Sequence, residues 1–289
     1  MVIIHSPRCL DYSAPGHPET PERVRSAVAR LHRESHTWLT PVACAEADLL
    51  RVHTPAHVAA VKAGSFSDAD TPVFAGIFEI AQLAAGAAIQ AAEEALAVRP
   101  VFSLMRPPGH HAESDRVMGF CYFNNIAVAV ARVLAGKPTA RVAILDFDCH
   151  HGNGTEEIFA GNDRVLFVSL HQSPCYPNTG LESAGNCVNY PLPPDTKPAE
   201  FLAAVDDALA RIESFRPDVL AVSAGFDAYK EDPITDMALE IDTYCDIGTR
   251  IGRYSHGRVP CFAVLEGGYA REFAECVEAF VRGWEHRQS

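Results

Sequence analysis

Val142-Ala143-Ile144-Leu145-Asp146-Phe147-Asp148-Cys149-His150-His151-Gly152-Asn153-Gly154 is the stretch from which the rest of this chain is read. Four apolar residues in a row predict a buried strand, and the strand delivers two carboxylates and two imidazoles where it ends. Residues two apart on extended backbone face the same side, so Asp148 and His150 converge on one point while Asp146 and His151 stand behind them. Without a cation such a cluster is costly. One oxygen and one nitrogen ligand suit zinc, with other divalent ions as alternatives. An isolated Asp-x-His is equally well read as a salt-bridged strand end. The glycines at 152 and 154 and four companion loops weigh against that here.

Working outward, the pattern alternates between strand and helix. Val2, Ile3 and Ile4 predict a first strand. Thr20 then caps a helix begun by Pro21, with Val24, Ala27, Val28 and Leu31 on one face. Thr54 and Pro55 repeat the cap signal. A polar loop from Ser65 to Thr71 leads to a long Ala-rich helix from about Gly76 to Val98. Next come strand Val101–Leu104, helix Asn124–Leu134, the strand above, a short helix Thr155–Phe159 and strand Val165–Leu170. After a long loop follow helix Ala199–Phe215, strand Val219–Ser223, helix Tyr244–Tyr254, strand Cys261–Leu265 and helix Glu272–Trp284. Such repetition predicts an α/β fold: one three-layer domain over residues 1–289, its mostly parallel sheet flanked by helices. Each polar cluster follows the carboxyl end of a strand: Arg106 to His111, Asp146 to His151, His171, Asp227, and Glu266 to Tyr269. That edge is where open α/β sheets bind ligands.

Composition narrows the function. The chain has 289 residues, 48% of them hydrophobic, enough for a sizeable core, with order expected throughout except in the last few residues. A formal net charge of −13 argues against a nucleic-acid surface and favours cationic partners where charge matters. Nine cysteines without paired spacing, one of them between two proposed ligands, predict free thiols and a cytoplasmic protein. The N-terminal residues lack a basic segment followed by a long apolar run, and no stretch reaches the ~20 apolar residues of a membrane span, so no membrane role is expected.

The clusters combine into chemistry. Asp227, after Ser223-Ala224-Gly225-Phe226, offers the third ligand to a metal on Asp148 and His150, leaving positions open for water and a substrate oxygen. In Arg106-Pro107-Pro108-Gly109-His110-His111, adjacent imidazoles provide a general base and a cationic partner, with Asp146 as an acceptor for one of them. Glu266-Gly267-Gly268-Tyr269 brings a phenol that can donate to a developing oxyanion. Gly119, Phe120, Cys121 and the Tyr176-Pro177 segment add aromatics suited to a narrow tube for an extended aliphatic chain.

With these motifs in hand, the chain resembles the zinc-dependent histone deacetylase and acetylpolyamine deacetylase family of the arginase-deacetylase fold. His17-Pro18-Glu19 with Pro21 and Arg23, the Pro-Pro-Gly-His-His loop, Gly119-Phe120-Cys121, Asp146 to Gly154, Ser169-Leu170-His171, Asp227 and Gly267-Gly268-Tyr269 carry the resemblance. It implies zinc on Asp148, His150 and Asp227. It also implies His111 as general base and then acid, His110 as electrostatic partner, and Tyr269 as carbonyl polariser. Phe120 and Tyr176 would wall an acyl-lysine tunnel. A structural potassium is implied on Asp146, Ser169 and the backbone oxygens of Asp148, His150 and Leu170. A second monovalent site would use the backbone oxygens of Phe159, Asn162 and Val165. Arg23 matches an internal product-release arginine, and Asp70 a rim aspartate that holds the substrate backbone.

Two departures shape the expectation. Asn153 stands where class I members have an aspartate behind the second histidine, which makes this chain similar to the class II type. Ile234, seven residues after Asp227, stands where a polyamine-selective member has a glutamate, and the long early insertion of bacterial polyamine enzymes is missing. The expected function is therefore zinc-dependent removal of acetyl or other short acyl groups from lysine ε-amines of proteins or peptides. Deacetylation of polyamines or another small acylated amine is the alternative. An acyl-lysine binding module and an arginase-like hydrolase fit less well, because all three ligands and Tyr269 are intact and Asn153 stands where a two-metal site would call for a bridging aspartate.

Overall fold

Runs of buried Val, Ile, Leu and Phe form the central strands of one sheet in a computed structural model that describes residues 1–97 and 100–286. The elements in chain order are β1 (Val2–Ile4), α1 (Pro21–Leu31), β2 (Thr37–Leu39), α2 (Glu46–Leu49), α3 (Pro55–Ala63), α4 (Ile77–Ala95), β3 (Val101–Ser103) and α5 (Asn125–Gly136). They continue with β4 (Val142–Asp146), α6 (Asn153–Phe159), β5 (Val165–Gln172), β6 (Cys187–Leu192), α7 (Pro198–Phe215), β7 (Val219–Ala224), α8 (Ile241–Ser255), β8 (Cys261–Leu265) and α9 (Phe273–Glu285). The eight strands lie in the order β2-β1-β3-β8-β7-β4-β5-β6, and every neighbouring pair is parallel. Parallel strands need covering on both faces. Here α1, α7, α8 and α9 pack as one group and α2 to α6 as another, which gives three layers.

The strand order positions the site. β3, β8, β7 and β4 are consecutive in the middle of the sheet, although they are far apart in sequence. Their carboxyl ends therefore share one rim, and the loops after them carry His110 and His111, Gly267 to Tyr269, Asp227, and Asp148 with His150. Register tightens this, because Asp146 of β4 lies opposite both Ser169 of β5 and Ser223 of β7.

Where sequence and structure differ, the elements are short or at the edge. β2 is three residues long, partly exposed, and lacks a buried face to read. β6 lies inside the expected long loop and contains Pro191, which an edge strand tolerates because one side of it is unpaired. α2 is a single turn of four residues, too short for periodicity to reveal. Thr20 is the N-cap of α1 as expected, but its side chain makes no capping hydrogen bond, whereas Thr54 accepts from the His57 amide. α8 begins at Ile241, three residues before the expected start, because Glu240 and Thr243 form a reciprocal capping pair. The expected helix end at Val98 and the last three residues, 287–289, lie outside the described residues. All nine cysteines are unpaired.

Candidate active site

Asp148 and His150 leave β4 with their side chains on the same side, and the loop after β7 brings Asp227 to meet them. All three are buried, and one ligand atom from each lies within 4.8 Å of the others. His150 Nδ1 stands 2.9 Å from Asp227 Oδ2 and 3.2 Å from Asp148 Oδ1. The remaining oxygens are held by backbone amides: Gly267 N–H donates to Asp148 Oδ2 at 2.7 Å, and Cys149 N–H to Asp227 Oδ1 at 2.7 Å. Two carboxylates buried this close repel. Burial and Asp148 together raise Asp227 to about 7. A cation removes that conflict, and the donor set suits a divalent one. The backbone leaves room for such a cluster and nothing larger. A Cβ on Gly225 would lie 2.2 Å from Asp148 Oδ2, and one on Gly267 2.4 Å from Asp227 Oδ2.

The loop after β3 sets two imidazoles beside this cluster, their rings 4.0 Å apart. Buried Glu266 fixes the loop, since its Oε2 accepts from the amides of Gly109 at 2.7 Å and His110 at 3.1 Å. His110 Nδ1 donates to Asp146 Oδ2 at 3.0 Å. Burial pulls the His110 pKa down, but Asp148 and Asp146 outweigh it and lift the group to about 10. His111 behaves in the opposite way, with Nδ1 2.8 Å from Asn153 Oδ1. Burial, with His110 and His150 alongside, holds its pKa well below the usual histidine value. The surroundings thus favour the charged form of His110 and the neutral form of His111.

Above them opens a cleft of about 570 Å³ whose lining includes His17, Phe120, Tyr176, Ile234 and Tyr269. The rings stand edge to face around a slot: Phe120 to Tyr269 at 5.7 Å, His111 to Tyr176 at 5.3 Å, His17 to Phe120 at 4.6 Å. Tyr269 is backed by the Arg23 guanidinium, 4.6 Å from its ring centre. Arg23 in turn donates to the carbonyls of Gly268 at 2.5 Å and Glu266 at 2.7 Å and to Glu19. Burial pushes the Tyr269 phenol well above its ordinary pKa, so it remains a donor. At the mouth, Asp70 and Gly119 line the cleft, and Asp68 Oδ2 accepts from the Asp70 amide at 3.1 Å.

The histone deacetylase domain model matches residues 17–284. This chain belongs to that family. It is 40% identical over 301 residues to a probable deacetylase of Methanothermobacter thermautotrophicus, covering 98% of this chain and 90% of that one. It is 41% identical over 216 residues to acetylpolyamine amidohydrolase 1 of Pseudomonas aeruginosa, covering 71% of this chain and 61% of that protein. Among solved structures, the acetylpolyamine aminohydrolase of Burkholderia pseudomallei superposes with a TM-score of 0.90 at 30% identity, covering 98% of both chains. The fold is accordingly the arginase-deacetylase fold, and the chain is a histone deacetylase-family hydrolase.

Other expected site residues of this family member fall in different places. His171 does not line the cleft: Nδ1 meets Ser169 Oγ at 2.9 Å and Nε2 the Gly180 carbonyl at 3.0 Å. His151 is tied to Thr179 and Glu156, 2.8 and 3.0 Å away, and braces the loop segment around Thr179. Asp146 and Ser169, named for potassium, are fully buried and in register, with Leu170 beside them. The second set is differently arranged. Asn186 Nδ2 donates to the carbonyls of Phe159 at 2.9 Å and Val165 at 3.0 Å, while Val165 N–H donates to the Asn162 carbonyl at 3.0 Å. The Asn186 amide thus takes one lone pair on each of two of these oxygens, which leaves the other free.

Three further residues shape the site through contacts that their sequence surroundings do not announce. Asp232 accepts from the amides of Tyr269 at 2.7 Å and Ile234 at 3.1 Å, joining the phenol loop to the cleft wall. Thr71 accepts from the Phe120 amide at 3.0 Å. Glu266 was visible only as part of a polar cluster, because its targets lie 156 and 157 positions away.

Proposed function

We propose that this chain is a zinc-dependent amidohydrolase that removes acetyl or another short acyl group from a small acylated amine, an acetylated polyamine being the leading class. The observation that carries the chemistry is a buried Asp148, His150, Asp227 set beside a neutral imidazole at the base of an aromatic slot. Zinc on these three residues would act as a Lewis acid toward the acyl oxygen and a water. His111 Nε2, bare because Nδ1–H is committed to Asn153, takes a proton from that water and later gives it to the leaving nitrogen. His110 holds positive charge beside the reacting centre. Tyr269 O–H donates to the acyl oxygen as negative charge gathers there. The water oxygen bonds to the acyl carbon, the C–N bond breaks, and a carboxylate and a free amine leave.

Two observations support the substrate class. The named relatives include acetylpolyamine amidohydrolases, which favours small amines over protein lysines and reverses the order expected from sequence. In addition, Asp70 lines the mouth with Asp68 hydrogen-bonded to its amide, and both carboxylates act electrostatically on Tyr176 in the cleft wall, where a distal ammonium needs a partner. Lysine deacylation in peptides is kept as the second reading because Ile234 at the same mouth is apolar and 38% exposed. The deciding measurement compares kcat/KM for monoacetylated putrescine and spermidine with acetyl-lysine peptides, on protein of measured metal content. A tenfold preference for the polyamines is expected. A tenfold preference for peptides would establish the second reading, and potassium dependence in the same assay tests the Asp146, Ser169 and Leu170 site.

A further inference from the structure

The neutral base His111 hangs from an amide, and an amide is ambiguous. Asn153 could present either its oxygen or its nitrogen to His111 Nδ1, and the two choices have opposite results. With oxygen forward, Nδ1 carries the proton and Nε2 is free to accept one. With nitrogen forward, Nδ1 must accept, the proton moves to Nε2, and the base is blocked.

The structure resolves the ambiguity one residue further out. Asn153 Nδ2 donates to Glu113 Oε1 at 2.8 Å and to Met118 Sδ at 3.3 Å. An ionised carboxylate only accepts, so the amide nitrogen must face Glu113 and the oxygen must face His111. Asn153 is 7% exposed, which leaves water little room to substitute. Glu113 is itself held: its other oxygen accepts from Arg116 Nη2 at 2.7 Å, and its amide and carbonyl are tied to Arg116 and His53 at 3.0 Å each. Exposed at 59%, Arg116 gains little from that pairing alone, so the geometry is better accounted for by what Glu113 does inward.

We propose that Glu113 is a positioning residue for the hydrolysis, holding His111 through Asn153 in the one tautomer whose Nε2 accepts a proton. The proposal rests on the reading of His111 as the base. It also explains how an asparagine serves at this position: the negative charge is moved one link outward, and the amide passes on its direction.

The test has two independent readouts. Nitrogen-15 spectra of histidine-labelled protein, with the His111 signal assigned by its loss in His111→Gln, report the tautomer without any substrate. Wild type should show protonated Nδ1 and bare Nε2. Glu113→Ala should admit the other tautomer and lower kcat about tenfold at unchanged KM, a modest part of the ~10²–10⁴ a general base contributes. Glu113→Gln retains an acceptor and should lose less. Asn153→Asp alone sets two carboxylates against each other and should be worse than either. The double variant E113Q/N153D rebuilds the chain with donor and acceptor exchanged, and should recover to within about threefold of wild type, since each hydrogen bond is again matched. An unchanged tautomer and kcat in Glu113→Ala, or simple additivity in the double variant, would overturn the proposal. If wild type hydrolyses no acylated amine, the reading of function fails instead, and the spectra still decide the role of Glu113.

Discussion

Tyr269 shows how much one hydroxyl can contribute when its surroundings are fixed. Its ring is held between Arg23 and Phe120 and its backbone amide by Asp232, so removing only the oxygen leaves the position intact. Tyr269→Phe should keep the fold and the metal yet lose roughly 10²-fold or more in kcat, the typical loss of one oxyanion donor. Steady-state kinetics beside metal analysis checks this, and an unchanged rate would remove Tyr269 from the chemistry. His171 is no substitute, since both its nitrogens are engaged away from the cleft. Ligand identity was legible in the sequence because Asp148 and His150 sit two apart on one strand end. The roles of Asp232 and Thr71 were not, because each acts through a contact that only folding creates.

At the scale of elements, two packing arrangements make predictions. α8 and α9 approach so closely that a Cβ on Gly283 would lie 2.0 Å from the Cys245 carbonyl oxygen. Gly283→Ala should therefore lose about 1–3 kcal/mol to overpacking, despite the ~1 kcal/mol by which alanine favours a helix. Calorimetry would show a lower midpoint with kcat unchanged; a raised midpoint would mean the helices separate freely. The second arrangement is at the start of α5, where the Asn124 amide donates to His53 Nε2 at 2.9 Å. Burial, with His57 stacked beside it, depresses the His53 pKa to about 3. The sign follows directly. The unfolded chain takes up the proton first, near 6.5, so the stability held by neutral His53 is complete above that pH and lost as pH falls toward 3. Between pH 7.5 and 5 the loss is about 2 kcal/mol. Urea titrations at the two pH values should differ by that much more in wild type than in His53→Gln.

The whole molecule is held together at the same rim where it works. The proposed ligands come from the loops after β4 and β7, and the amides that orient them from loops after β4 and β8, so a cation held there would link three central strands. Stripping the metal with a chelator should therefore lower stability as well as activity. Ion at a hundred times its dissociation constant contributes about 2.7 kcal/mol, or a fall of about 4 °C in midpoint on removal. Readdition of zinc should restore both. A midpoint that does not move would mean the cluster holds its shape without an ion.

The sequence by itself determined the α/β alternation, the parallel sheet and the rim to which the polar loops belong, because hydrophobic period and strand-end position are local properties. It also paired Asp148 with His150 and His110 with His111, each through spacing on one strand end or loop, whereas Asp227 joins the candidate metal cluster from a loop 77 residues beyond His150. Tertiary structure alone decided the edge strands β2 and β6, whose pairing depends on neighbours rather than on a buried face. It alone directed His171 and His151 into bracing and placed Asn186 among the carbonyls of Phe159 and Val165. It alone brought Glu113 against Asn153, 40 residues away. The physical reason is common to all of these: a hydrogen bond's partner is chosen by the packed fold, and a charge acquires its role only when burial removes the water that would otherwise answer it.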